Sequence, residues 1–320
     1  MQTKMKRLTS SLVVLSLAIG SVVLLAGCGK PPAPGGKIVI GMTLPSSSHP
    51  FFIYLKKNVM DEAEKLGVKV ISADAEDAAA KQMSIVEDFI SRGVDGVLIS
   101  PISADALVPA VEALNKANIP VATVDRKVNG GEILVHVGAD NVEGGRVAAR
   151  YILEKLGGKG GVIEIEGTPG ASPAIERKRG FDEVVAASGV KLLASQTADF
   201  KRATGQSVME NLLQARSDFQ AVYAANDEMM LGAIEAMDAR GVDLSRVVTV
   251  GYDAIADAMQ SIKSGRLTAS VEQYPGQQAR KALRFLVEKI RDGKLPPSKE
   301  VYITPVAIDK NNLDKAERKE

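Results

Sequence analysis

The chain has no tryptophan, only seven Phe and six Tyr, two histidines and a single cysteine among 320 residues. One cysteine excludes an intrachain disulfide and any cysteine metal cluster. Two histidines, His49 and His136, form no HExxH and no Cys/His group, and no G-x-S-x-G occurs, so neither a zinc site nor a hydrolase elbow is supported. No G-x-G-x-x-G follows the first strand-like run, and no G-x-x-x-x-G-K-[ST] occurs anywhere. The glycine tract Gly157–Gly161 follows a helical pattern and precedes a strand, the reverse of what phosphate binding at a helix N-terminus needs. Neither sign of charge is in excess. Lys+Arg number 40 against 39 Asp+Glu, with no basic run longer than Arg177-Lys178-Arg179, which argues against a nucleic-acid surface. Acidic pairs such as Asp227-Glu228 read as the first turn of a helix, where negative charge meets the helix dipole, rather than as acid–base machinery. No enzyme, no metal and no cofactor is expected.

What the sequence does contain begins with a leader. Lys4, Lys6 and Arg7 precede an apolar run from Leu8 to Leu25, which meets Leu25-Ala26-Gly27-Cys28. Small residues before a cysteine at the end of such a run resemble the lipobox of bacterial lipoproteins. The competing reading is an uncleaved membrane helix, since the run nearly spans a bilayer. The expected organisation is a signal peptide over 1–27, then the lipidated Cys28 and an extended Pro/Gly tether over 28–36. Cleavage before Cys28 removes three cations and no anion, leaving 37 against 39. The body is then held to the membrane outside the cytoplasm by its lipid alone.

From Lys37 onward, short apolar runs alternate with amphipathic stretches. Strands are expected at Lys37–Thr43, Val68–Ser72, Gly96–Ser100, Pro120–Val124 and Ile133–Gly138, with helices at Phe51–Leu66, Ala78–Arg92 and Ala104–Asn118. A second series follows the Val142–Leu156 helix, with strands near Val162–Glu166, Lys191–Ser195, Ala221–Ala225, Val247–Gly251 and Thr268–Val271. Repeated βαβ units mean parallel sheets with right-handed crossovers. The class is therefore α/β, with two similar doubly wound lobes. A helix over Gly276–Asp292, one extended run over Val301–Ile308 and a loosely ordered charged tail from Asp309 complete the pattern.

The first strand empties into LPSSSHP and then two adjacent aromatics, Phe51 and Phe52. In open α/β sheets that rim holds ligands. In a chain so short of aromatics, two side by side are surplus to packing; a hydrophobic staple would use one. Other strands end in planar hydrogen-bonding groups: Asp125-Arg126, Asn226-Asp227, Tyr252-Asp253 and Glu272-Gln273. Arg177 follows the Gly167–Ser172 loop, and Phe200 the Lys191–Ser195 strand. Singly, each such polar residue reads as a helix cap or exposed ion pair. Their recurrence at matching strand ends points to one crevice. Planar donors and acceptors suit vicinal hydroxyls, and aromatic faces suit sugar C–H groups. Asp125 and Asp253 cancel Arg126 and Arg177, which favours an uncharged ligand.

At these residues the chain resembles the ribose-binding branch of the type I periplasmic-binding-protein family of sugar ABC importers. The segments that carry the likeness are HPFFIYLK, ANIPVATVDR, GADNVEGGRVAA, EGTPGASPAIERKRGF, ASQTADF, MENLLQA, AVYAANDEMMLGA and VVTVGYDA. The resemblance implies a sugar pocket of His49, Phe51, Phe52, Asp125, Arg126, Arg177, Phe200, Asn226, Asp253 and Gln273, with Phe52 and Phe200 sandwiching the ring. It also implies a three-segment hinge near Ala139–Asp140, Gln273–Tyr274 and Ile303–Thr304. The lobes are then 37–139 plus 274–303, and 140–273 plus 304–320. One position departs: His49 stands where ribose binders usually carry Asn. A neutral imidazole is bulkier and offers one donor and one acceptor, which bears on which sugar fits.

The expected function is capture of a neutral monosaccharide, D-ribose first, for a permease and its ATPase, by a monomer. Other pentoses, allose and galactofuranose are the runner-up ligands, and a chemoreceptor ligand-binding protein is the other reading. A transcription regulator of the same fold would need a helix-turn-helix where the leader stands.

Overall fold

The computed structural model describes residues 37–318; the expected signal peptide, Cys28 and the tether lie outside the described residues. The first sheet is built from β1 (Val39–Leu44), β2 (Lys69–Asp74), β3 (Gly96–Ile99), β4 (Val121–Val124), β5 (Val135–Ala139) and β11 (Glu300–Ile303), in the order β11-β5-β4-β3-β1-β2. All its pairs are parallel. Helices α1 (Pro50–Leu66), α2 (Ala79–Ser91) and α3 (Val108–Lys116) connect its strands.

The second sheet repeats the plan with β6 (Lys159–Glu166), β7 (Gly189–Thr197), β8 (Ala221–Ala224), β9 (Val248–Tyr252), β10 (Ala269–Glu272) and β12 (Val306–Asp309), in the order β12-β10-β9-β8-β6-β7. Here β12 is antiparallel to β10. Its helices are α4 (Asn141–Leu156), α5 (Ser172–Ala186), α6 (Arg202–Ala215), α7 (Asp227–Ala239) and α8 (Ala256–Lys263). The last helix, α9 (Pro275–Asp292), returns to the first sheet: Ala279, Ala282, Leu283 and Leu286 share one core with Ile40, Val124 and Val137. The chain thus passes between lobes three times, from β5 to α4, from β10 to α9 and from β11 to β12. No helix among the described residues is long and apolar enough to cross a membrane.

Strands with continuous burial, such as β3, β4, β5 and β8, follow from their mainly apolar sequences GVLI, VATV, VHVGA and AVYA, as parallel strands covered on both faces require. Helices α4 and α5 touch backbone to backbone. A Cβ on Gly145 would lie 2.0 Å from the Arg177 carbonyl oxygen, and one on Gly180 would lie 1.9 Å from that of Val142. These two glycines set the depth at which α5 presents Arg177.

Four expectations change. The run Val301–Ile308 is two strands in different sheets, because Pro305 and the crossing separate β11 from β12. The tail is ordered to residue 318: Tyr151 donates to Asp309 Oδ2 at 2.9 Å, Glu317 accepts from Gly276 N at 2.6 Å, and Ala316 is buried. Its charges have partners distant in sequence, which composition does not reveal. Residues 101–107 are not helical, and Ala104 N donates there to the Gly170 carbonyl of the other lobe at 3.1 Å. Finally, Phe51 and Phe52 lie in the first turn of α1 and belong to the first lobe's core, so neither is surplus to packing.

Candidate ligand-binding site

In each sheet the strand order reverses beside the lobe's first strand, β1 or β6, and the loops at such switch points flank a crevice. The two crevices face each other. The first lobe contributes His49, Phe51 and Phe52 from the start of α1, and Asp125 and Arg126 from the end of β4. The second contributes Arg177 from α5, Phe200 after β7, Asn226 after β8, Asp253 after β9 and Gln273 after β10. All ten residues named from the sequence line one cavity. Pro173 also lines it and was not foreseen; a proline in the first turn of a helix is too ordinary to signal a site. The residues expected to form a hinge, Ala139–Asp140, Gln273–Tyr274 and Ile303–Thr304, lie where the chain crosses between sheets.

Three of these wall residues are held in the left-handed region, Asp125 at φ 65°, Phe200 at φ 60° and Asp253 at φ 107°, and Tyr274, at a crossing between sheets, sits at φ 56°. For non-glycine residues such conformations cost about 1–3 kcal/mol each, and they concentrate where geometry serves a ligand or a moving part.

The charged groups form two buried pairs. Arg126 Nε lies 3.7 Å from Asp125 Oδ2, and Arg177 Nη1 lies 3.8 Å from Asp253 Oδ1. Neither separation is a hydrogen bond, so both carboxylates keep acceptor capacity. Supporting groups orient them. Ser100 Oγ donates to Asp125 at 3.2 Å, and Gln273 Nε2 donates to Asp253 at 2.6 Å. Arg177 donates to Asn141 Oδ1 at 2.9 Å and to the Ala225 carbonyl at 2.7 Å, with its guanidinium 3.6 Å from the Tyr252 ring centroid. The guanidinium of Arg126 sits 5.4 Å from the Phe52 centroid and 5.6 Å from that of Phe200, so the two rings meet around it from opposite lobes.

Burial dominates the electrostatics. It pushes Asp253 up to about 7 although Arg177 pulls the other way, raises Asp125 against the pull of Arg126, and lowers Arg126. For Arg177 burial also opposes charge, but Tyr252 and Asp253 outweigh it and hold the guanidinium above its ordinary value. His49 falls to about 3, through burial first and Arg126 next. A dry, neutral set with spare donors and acceptors suits an uncharged polyhydroxyl ligand, whose hydroxyls both donate and accept.

The lobes also touch directly. Lys127 N donates to Ser172 Oγ at 2.8 Å, and Lys127 Nζ lies 3.0 Å from Glu176 Oε1. The form described is therefore a closed one.

The model of the periplasmic binding protein domain matches residues 40–295. The chain belongs to the periplasmic binding protein family. Membership places its working compartment outside the cytoplasm. The ribose import binding protein RbsB of Bacillus subtilis is 43% identical over 280 residues, 85% of this chain and 89% of that protein. Its namesake in Escherichia coli is 43% identical over 75% of this chain and 81% of its own length. Among solved structures, the Caulobacter myo-inositol binding protein bound to myo-inositol is 36% identical, with a TM-score of 0.85, covering 91% of this chain and 99% of that one.

Proposed function

We propose that this chain is the substrate-binding component of an ABC sugar importer, capturing a neutral monosaccharide, D-ribose first, between two closing lobes. The observation that carries the reading is the composition of the cavity wall. Five of its eleven residues come from the first lobe and six from the second, its four charges cancel in two pairs, and an aromatic ring faces it from either side. A ligand shifts a conformational equilibrium only by its differential affinity for the two states. Contacts from both lobes at once supply that difference, and the closed form is then what a permease and its ATPase would read.

A monomer anchored by lipid on Cys28 completes the proposal, with no cofactor and no catalytic role, in keeping with relatives named as binding proteins. The second reading is a cyclic polyol or another sugar. It is favoured by His49 at the cavity wall and by the likeness to the myo-inositol binding protein.

Calorimetric titration against D-ribose, D-allose, galactofuranose and myo-inositol tests both, together with small-angle scattering. Ribose is expected to bind tightest and to compact the molecule. Tighter binding of myo-inositol selects the second reading. No binding by any member, or an unchanged radius at saturation, refutes capture by closure.

A further inference from the structure

One side chain already joins the two lobes. His49 stands at the start of α1 in the first lobe, where its Nδ1 accepts from the Phe51 backbone N–H at 3.2 Å and caps the helix. Its other nitrogen, Nε2, lies 3.1 Å from Nδ2 of Asn226 in the second lobe. That amide has one orientation. Asn226 Oδ1 accepts from Met229 N at 3.0 Å, and Nδ2 donates to the Phe200 carbonyl at 3.2 Å.

A neutral imidazole has one donor and one acceptor. Here both ring nitrogens face donors, the Phe51 N–H and the Asn226 amide, so a neutral ring can accept from either and a charged ring from neither. A second proton therefore sets donor against donor on both sides, and α1 loses its cap and the second lobe its link.

We propose that His49 is a clasp across the cleft that holds only while its ring is neutral, so that ligand capture weakens in acid. This rests on the capture-by-closure reading above. The groups that face the ring agree with it. In the closed form Arg126 at the end of β4, Arg177 of α5 and Arg318 of the tail all oppose a charged imidazolium, and burial opposes it more. The carboxylates that share the outer groove with His49 are Asp77, Asp199 and Glu228. Asp77 faces Lys201 Nζ at 3.6 Å, Glu228 pairs with Arg202 at 2.6 Å, and Asp199 accepts from Thr197 Oγ1 at 3.4 Å. Once the lobes part, the ring meets water and regains a value of about 6.5. The closed-form value of about 3 lies below that. Closure is therefore fully favoured above pH ~6.5 and weakens about tenfold per pH unit beneath it. Asp253, which burial pushes up to about 7, acts in the opposite sense by gaining a proton on closure, so the test is referred to a variant that keeps Asp253.

Dissociation constants for D-ribose, or for myo-inositol if that binds tighter, are measured calorimetrically on the native chain and on His49→Asn at pH 7.5 and 5.5. Asn keeps a capping oxygen and an amide but does not titrate. The native-to-variant ratio is expected to rise about tenfold between the two pH values; a ratio constant within twofold overturns the clasp. A second measurement needs no variant. Ring-nitrogen NMR of the two histidines should show His49 titrating near 6.5 without sugar and staying neutral to pH ~4.5 at saturation. Identical His49 titrations with and without sugar overturn the clasp as well. Binding that ignores pH removes the clasp alone, whereas no binding at pH 7.5 removes the capture reading and the clasp with it.

Discussion

Arg177 and Asp253 offer the sharpest test of the electrostatic account, because both belong to the second lobe and their pairing does not depend on closure. At 3.8 Å and an effective dielectric of ~20 their attraction is about 4 kcal/mol. Arg177→Met keeps length and removes the fork. It strips the Ala225 carbonyl and Asn141 Oδ1 of their donor and leaves Asp253 without its counter-charge. Removing one partner of a buried pair costs about 3–5 kcal/mol. Asp253→Asn is milder, about 1–3 kcal/mol, since Arg177 keeps its two hydrogen bonds and the Tyr252 face. The double variant removes both charges, and is expected to be about 2 kcal/mol more stable than the sum of the single losses predicts. Urea unfolding of the four ligand-free proteins at pH 8.5, above the value of about 7 to which burial pushes Asp253, measures this coupling. A coupling below about 0.5 kcal/mol would refute the claim that the wall is held by mutual neutralisation.

Two further outcomes concern the scaffold. His136 is buried in the first sheet, its Nδ1 3.0 Å from Thr123 Oγ1, and burial, then Lys127, lowers it to about 3. Its folded value lies below the unfolded ~6.5, so the stability it allows is complete above pH 6.5 and erodes as pH falls. The native chain should lose about 2 kcal/mol more than His136→Asn between pH 7.5 and 5.0 in urea unfolding, and parallel curves would count against this. Glu317 caps α9 from a distance, accepting from Gly276 N at 2.6 Å and pairing with Arg280 at 2.9 Å, while Tyr274 provides no side-chain cap. Glu317→Ala should cost about 1–2 kcal/mol and Glu317→Gln distinctly less, with equal losses as the contrary result.

The legible part of this molecule was whatever repeats along the chain. Apolar runs followed by planar polar residues gave the strand ends, and the strand ends met because parallel βαβ units put every carboxyl end on one side. Three things were hidden. The change of sheet at Pro305 is absent from the apolar pattern, since β11 and β12 read alike as one extended run, and only the resemblance implied a crossing at Ile303–Thr304. The tail looks solvated until Glu317 finds Gly276, 41 residues away. Phe51 and Phe52 serve core and cavity at once, a double duty that counting aromatics cannot reveal.

The two lobes reach the cleft by one device. Asp125 follows β4 and Asp253 follows β9, the strands that hold equivalent places in the two sheet orders. Each keeps its backbone N–H in the ladder, Asp125 donating to Val137 O at 2.9 Å and Asp253 to Val271 O at 2.8 Å. Each then turns left-handed, at φ 65° and φ 107°, and lines the cleft rather than starting a helix. Glycine would relax the backbone at either place and would also delete the carboxylate. The strain is tolerated because the next strand holds the residue on one side and an arginine faces its carboxylate on the other. On the proposed reading, a carboxylate so placed meets an incoming hydroxyl already oriented, and the ordering cost falls on folding instead of on binding.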